Sequence, residues 1–253
     1  MKVFAIARIV AFSALFACVT LAQRSEAGVL YSQPPEVGSG SFTTYTSAYT
    51  DSFLNYFQSL DNFQISSNNA ISSLSWQGMY LNFDPTNGYS NGVPNTNNWV
   101  ISLYTFGGPS RFPFTLYASE TVAASAVTET LAGTTTFEGK TVDYYNESLT
   151  LPALMPIAGG QLYYLSIFSD NGGSTDSWSW MSGTGGDGNS YQYNSSDNSS
   201  NGVNGDRTFT LFDSAVPEPS SVLLLLMGGA FPTAVCTCRI LRKRRSSFDG
   251  ARG

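Results

Sequence analysis

Period-two alternation, broken into short runs by turn residues, is the feature that most constrains this chain. Trp99, Ile101 and Leu103 share one face of a run, with Val100, Tyr104 and Phe106 on the other. Leu74 and Trp76 alternate with Ser73 and Ser75, and Val142 and Tyr144 with Asp143 and Tyr145. Trp178 and Trp180 alternate with Ser177, Ser179 and Met181, and Phe209 and Leu211 with Thr208 and Thr210. Side chains two residues apart share a face of a strand but not of a helix, so these runs predict strands. Leu162 to Phe168 is apolar on nearly both faces, as in a central strand of a sandwich. Asp84-Pro85-Thr86-Asn87-Gly88, Gly107-Gly108-Pro109, Glu138-Gly139-Lys140 and Asn171-Gly172-Gly173 supply the turns. Glu120 to Leu131 has enough Ala for a turn or two of helix, but its Thr and Val favour strand. The expected fold is all-β: eight to ten strands in two packed antiparallel sheets, a single jelly-roll-like β-sandwich over 28–215.

One stretch breaks the alternation. From Gly183 to Asp206, 19 of 24 residues are Gly, Asn, Ser or Asp. This composition predicts a long loop around one short strand at Tyr191 to Tyr193.

The two ends read as addresses. Lys2 and Arg8 precede an apolar stretch from Ile9 to Ala22, and Ser25-Glu26-Ala27 places small residues before Gly28. That pattern predicts a signal helix over 1–27, cleaved between Ala27 and Gly28. Near the other end, Ser220 to Cys238 is 19 residues without a charge. As a helix it would reach about 28 Å, close to the bilayer core. The expected transmembrane helix is 222–238, kinked at Pro232. Arg239, Arg242, Lys243, Arg244 and Arg245 follow, so the tail would stay in the cytoplasm and all that precedes Pro217 would be outside. Residues 246–253 read as a disordered tail.

Val216-Pro217-Glu218-Pro219-Ser220-Ser221, one hydrophobic span and an Arg-rich end, in that order over 216–245, resemble the PEP-CTERM sorting signal of Gram-negative bacteria. The resemblance implies recognition by an exosortase, a membrane-embedded Cys-dependent processing enzyme. It implies cleavage near Pro217, Glu218 and Pro219, then display or release at the cell surface alongside exopolysaccharide. The body resembles a recurring secreted β-sandwich ectodomain that precedes such tails. That likeness rests on Asp61-Asn62-Phe63, Ile71 through Gly78, Trp99 to Tyr104, Tyr163 to Ile167 and Trp178-Ser179-Trp180. It implies a fold more than an activity.

Trimming changes the charge. Between Gly28 and Ala215 lie 15 acids and only three bases, Arg111, Lys140 and Arg207, a net charge of −12. Three cations cannot form a nucleic-acid face. The trimmed domain keeps none of Cys18, Cys236 and Cys238, and the whole chain has no His. Disulfides, thiol nucleophiles, Ser-His-Asp triads and His-ligated zinc are thereby excluded from it.

Three candidate chemistries are left. Trp178 and Trp180, two apart on a strand, read either as an exposed sugar-stacking platform or as core. Asp170, Asp176 and Asp187 border Gly-rich turns, with Asp197 and Asp206 nearby, and offer hard oxygen ligands for calcium, though no spacing fits an EF-hand. A glycan-active enzyme would need two facing carboxylates, and Glu120, Glu129, Glu138, Asp143 and Glu147 offer no local pair. The expectation is therefore a non-enzymatic, exported surface or matrix protein, structural or adhesive, without a required cofactor. Its partners would be the exosortase, the secretion machinery, the membrane and exopolysaccharide. A carbohydrate-binding module on Trp178 and Trp180 is the alternative, and a carboxylate glycan enzyme the third reading.

Overall fold

The computed structural model describes residues 27–36, 43–49, 55–107, 114–172 and 176–213. The chain divides into two units, and the described residues belong to Ala27–Ser214. Strands in chain order begin with β1 (Val29–Gln33), β2 (Thr44–Thr46), β3 (Ala48–Tyr49), β4 (Tyr56–Gln64) and the long β5 (Asn69–Asp84). There follow β6 (Gly88–Asn91), β7 (Asn98–Phe106), β8 (Phe114–Ala123), β9 (Thr128–Phe137) and β10 (Lys140–Ile157). The last are β11 (Leu162–Asp170), β12 (Asp176–Gly183), β13 (Asn189–Asn194), β14 (Ser199–Asn204), β15 (Asp206–Arg207) and β16 (Phe209–Asp213). The one helical piece among the described residues is a 3-10 turn, Ala124–Ala126, so Glu120 to Leu131 is strand on both sides of a short turn.

Two sheets result. The first has nine strands around a path β1-β16-β5-β10-β9, with β12, β2, β15 and β6 attached alongside. The second runs β14-β13-β4-β3-β11-β7-β8. Pairing is antiparallel except at Ser169 and Ala48, where β11 meets β3 in parallel. The sixteen strands among the described residues exceed the eight to ten expected. The surplus is mostly short: β2, β3, β6 and β15 have two to four residues, too few to carry a readable alternation.

Alternation places the core between the sheets. Leu74, Trp76, Tyr80, Trp178, Trp180, Phe209 and Leu211 point inward from the first sheet. They meet Phe63, Trp99, Ile101, Leu103, Tyr163, Leu165 and Ile167 from the second. Trp99 is the hinge of this packing, with its ring 5.5 Å from Trp76 and 5.0 Å from Trp178, edge to face in both cases. Each such ring, once buried, stabilises the fold by roughly 1.5–3 kcal/mol. Gly78 is required by it, because a Cβ there would sit inside the Trp178 indole. On the far side of β5, Met79 and Leu81 join Val142 and Met181 in a smaller apolar cluster, so both faces of this strand are covered there.

The segment expected to be a long loop is largely a hairpin. β13 and β14 pair from Asn189↔Asn204 to Asn194↔Ser199, and β13 adds to β4 with Tyr191 opposite Leu60. Its tip is turn chemistry: Asn198 is left-handed (φ 55) and Asp197 Oδ1 accepts from the Ser199 amide at 3.0 Å. At its base, Asp206 accepts from the amides of Gly186 and Gly188 at 2.9 and 2.8 Å. The polar composition hid the strands because only Tyr191, Tyr193 and Val203 mark their faces.

Most of the predicted signal helix, the span 222–238, Pro217 to Pro219, the basic cluster Arg239 to Arg245 and the tail 246–253 lie outside the described residues. Among those described, no helix is long and apolar enough to cross a membrane.

Candidate functional site

Burial overturns the tryptophan platform. Trp178 and Trp180 are both 0% exposed, on the inner face of β12. Each indole N–H is tied inside: Trp178 Nε1 donates to Glu147 Oε2 at 3.2 Å, and Trp180 Nε1 to the Thr208 carbonyl at 2.8 Å. The physical reason is position, since β12 pairs with the central β5 and its inward residues face the other sheet. No sugar can stack on these rings.

The calcium candidates are likewise not brought together. Asp170 Oδ1 accepts from the Gly172 amide at 3.1 Å, and Asp176 Oδ1 from Asn82 at 2.7 Å. Asp187 is engaged with Asn62 and with its own turn at Asn189. They act as turn and strand-end acceptors, and no group of three metal-ligating side chains occurs among the described residues.

The structure does single out a carboxylate pair. Glu129 and Glu147 stand opposite each other on β9 and β10. The Tyr80 hydroxyl lies 2.7 Å from Glu129 Oε2 and 3.1 Å from Glu147 Oε1. Burial, reinforced by the charge of Glu129, pushes Glu147 well above the usual carboxylate range. The same burial raises Tyr80 far above its ordinary value. Tyr80 has one proton to give. A neutral Glu147 donates to the phenol oxygen while the phenol donates to Glu129, and every group is then satisfied. Glu147 is 1% exposed, and Glu129 is half-buried.

A second buried cluster holds the base of β13 to β15. Asp61 is fully buried and accepts from the amides of Asn62, at 2.8 Å, and Arg207. The Gln33 amide, oriented to satisfy both its ends, donates to Asp61 Oδ2 and the Arg207 carbonyl and accepts from Tyr31. Burial raises Asp61 to about 8 against the pull of these donors. Arg207 is buried too, its guanidinium 4.5 Å above the Tyr45 ring, and burial lowers its pKa. Its Nη2 donates to the carbonyls of Asn204 and Gly205, at 3.4 and 3.1 Å, which ties the end of β14 to β15.

The accessible chemistry lies on the outer faces. Across β1, β16, β5, β10 and β9, register aligns Ser32, Thr210, Ser75, Ser148 and Thr128 in one row. At strand spacing it spans about 19 Å. Beside it lies a shorter row, Gln77, Asn146 and Thr130. Ser32 Oγ and Thr210 Oγ1 are 2.9 Å apart, and Gln77 Nε2 donates to Asn146 Oδ1 at 2.7 Å, which uses one end of each amide. A pocket of about 250 Å³ lies over these rows, walled by Pro35 and Thr208. Glu147 also borders the pocket but is 1% exposed, and Glu129 beside it is half-buried, so the exposed side chains of the rows are hydroxyls and amides.

The far face of the opposite sheet is aromatic and largely closed, with Phe114, Tyr164 and Phe168 buried. Tyr56, Tyr49 and Phe168 form one ring group, with centroids 5.2 to 5.8 Å apart. Phe114, Tyr164 and Tyr191 form another at 4.6 to 5.7 Å. Between them Gln58 Nε2 donates to Tyr104 Oη and to Ser166 Oγ, both at 3.0 Å. Sequence reasoning passed over both faces. The hydroxyl row is visible only once register joins five strands, and the tyrosines read individually as ordinary strand residues.

Fold and site thus define a two-sheet all-β domain with a neutral polar groove on one face. No protein-family model, curated protein or solved structure matches this chain.

Proposed function

We propose that the chain is an exported surface or matrix protein whose sandwich binds a neutral polysaccharide without cleaving it. Its sandwich is jelly-roll-like, the chain passing between the sheets after β2, β4, β6, β8, β10, β11, β12 and β14. The observation that carries the binding reading is the uncharged groove over Gln77, Asn146 and Thr130 in a domain of net charge −12. Amide and hydroxyl groups in a flat array match the vicinal hydroxyls of a sugar chain, whereas an acidic polymer would be repelled. Non-enzymatic action is supported by the burial of Glu147, which borders the groove but is only 1% exposed.

Export and exosortase processing at Pro217, Glu218 and Pro219 rest on the resemblance. One feature of the fold favours a cut at Gly28. Ala27 and Gly28 are exposed, and the Gly28 N–H donates to Asp213 Oδ1 at 2.6 Å. Cleavage would place a new ammonium against that carboxylate. It would also leave both ends of the sandwich side by side, since β1 pairs with β16.

The binding reading predicts that Thr130→Lys, at an exposed site, weakens retention on curdlan, cellulose or mannan at least tenfold while the melting temperature holds. Sedimentation with each polysaccharide measures it. Equal retention of wild type and variant on every one of them would remove the groove from the account.

A further inference from the structure

We infer that Asp213 is the receptor for the chain's own new N-terminus, so that removing the leader completes an ion pair that pins β1 to β16. This rests on the reading of Gly28 as the first residue of the exported protein, and adds what that terminus does. Gly28 is bonded to Asp213 twice. Its N–H donates to Asp213 Oδ1 at 2.6 Å, and its carbonyl accepts from the Asp213 N–H at 3.0 Å. The carboxylate also lies across the open side of Gly28, where a Cβ would come within 3.0 Å of Oδ1 and 3.3 Å of Oδ2. A larger side chain at residue 28 would push the carboxylate away from the nitrogen.

Asp213 lacks a cation of its own among the described residues. By register it stands opposite Ile71 of β5, and Phe212 before it stands opposite Ser73 of β5 and Val29 of β1. The titratable residue on β1 is Tyr31, opposite Leu211, and its ring packs on Phe63 and Phe209. Of the described bases, Arg207 is buried over Tyr45 and Lys140 begins β10. An amide offers the carboxylate one neutral donor. The ammonium left by cleavage offers three donors and a full positive charge at the same atom. The place matters to the fold. β1 is an edge strand of five residues that pairs with β16 alone, and Gly28 precedes its first residue. The pair thus fastens the end at which that strand would fray. Asp213 also stands four residues before Pro217 in the sequence, so one carboxylate holds the exported domain at both of its expected ends.

The test uses the full chain in mild detergent, uncut and after treatment with a bacterial leader peptidase, as wild type and as Asp213→Asn. Mass spectrometry first locates the new terminus. Wild type cut at Gly28 is expected to melt ~3 °C above the uncut chain, the shift of a modest ion pair in a domain of this size. Asp213→Asn keeps the shape and an acceptor but removes the charge, so cutting is expected to raise its melting temperature by less than about half as much. The amine of the cut variant is also expected to react about threefold faster than that of cut wild type with 2-pyridinecarboxaldehyde, which labels N-termini, because a paired ammonium gives up its proton less readily. Should the variant fold poorly, about 0.5 M salt screens this exposed pair in wild type and is expected to remove most of the gain. No gain on cutting wild type, or an equal gain in Asp213→Asn, would overturn the ion pair and leave the export reading standing. So would a gain that salt leaves intact. A chain that the peptidase leaves uncut, or cuts elsewhere than before Gly28, would overturn the leader reading and the ion pair with it.

Discussion

Trp178→Ala is expected to lower the stability of the domain by about 3–5 kcal/mol, the largest effect of any single substitution considered. Two losses combine. The ring is fully buried against Trp99 and beside Gly78, so its removal leaves a cavity that the β-sheet backbone cannot close. It also removes the N–H that Glu147 Oε2 accepts, which leaves a buried acceptor unpaired. For a domain of this size that lowers the melting temperature by ~10 °C or more. Thermal unfolding followed by tryptophan fluorescence measures it. A variant that melted with wild type yet lost glycan binding would restore the stacking platform that the buried ring argues against.

Raising the pH from 5 to 8 is expected to destabilise the domain. Glu147 is pushed well up by burial, with Glu129 adding to the push, and Asp61 is raised to about 8. In the unfolded chain both would ionise near 4. A carboxyl raised in the folded state contributes fully below its unfolded value, and that contribution is lost as pH rises toward the folded one. Within that window the folded state holds protons that the unfolded state has released, so each added pH unit costs up to about 1.4 kcal/mol per group. Around Glu147 the charged or titratable neighbours are Glu129, Tyr80 and Tyr145; around Asp61 they are Arg207, Asp206 and Tyr31. Repulsion within a domain of net charge −12 acts in the same direction. The melting temperature should fall by ~5 °C or more between pH 5 and pH 8. Glu147→Gln keeps the shape, removes one titration and should flatten the curve. A melting temperature that climbs toward pH 8 would mean that both carboxylates are held ionised by their donors.

The core was readable from the sequence wherever a run was long enough to alternate. Trp99-Ile101-Leu103 and Leu74-Trp76 each announced an inward face, and those faces are the ones that meet. What could not be read was position across strands. Whether Trp178 and Trp180 face a partner sheet or water depends on β12 lying against β5, a pairing set by residues a hundred positions away. Glu147 carried a usable sign, since it stands in phase with Tyr145, Leu149 and Leu151, so the pattern already put a carboxylate inside. Asp61 stands in the same phase as Phe63 and Ile65. Their partners, Tyr80 and Arg207, gave none, because each is brought in by tertiary packing. The hairpin of β13 and β14 was lost in its own Asn and Ser, residues that favour turns locally but are carried into strand by pairing with β4.

The mass of the protein recovered outside the cell tests the account most directly. A chain running from Gly28 to the neighbourhood of Pro217, lacking both the leader and the arginine-rich tail, is the predicted result. Full-length protein from Met1 to Gly253, recovered from the cytosol, would contradict export, sorting and the surface role together.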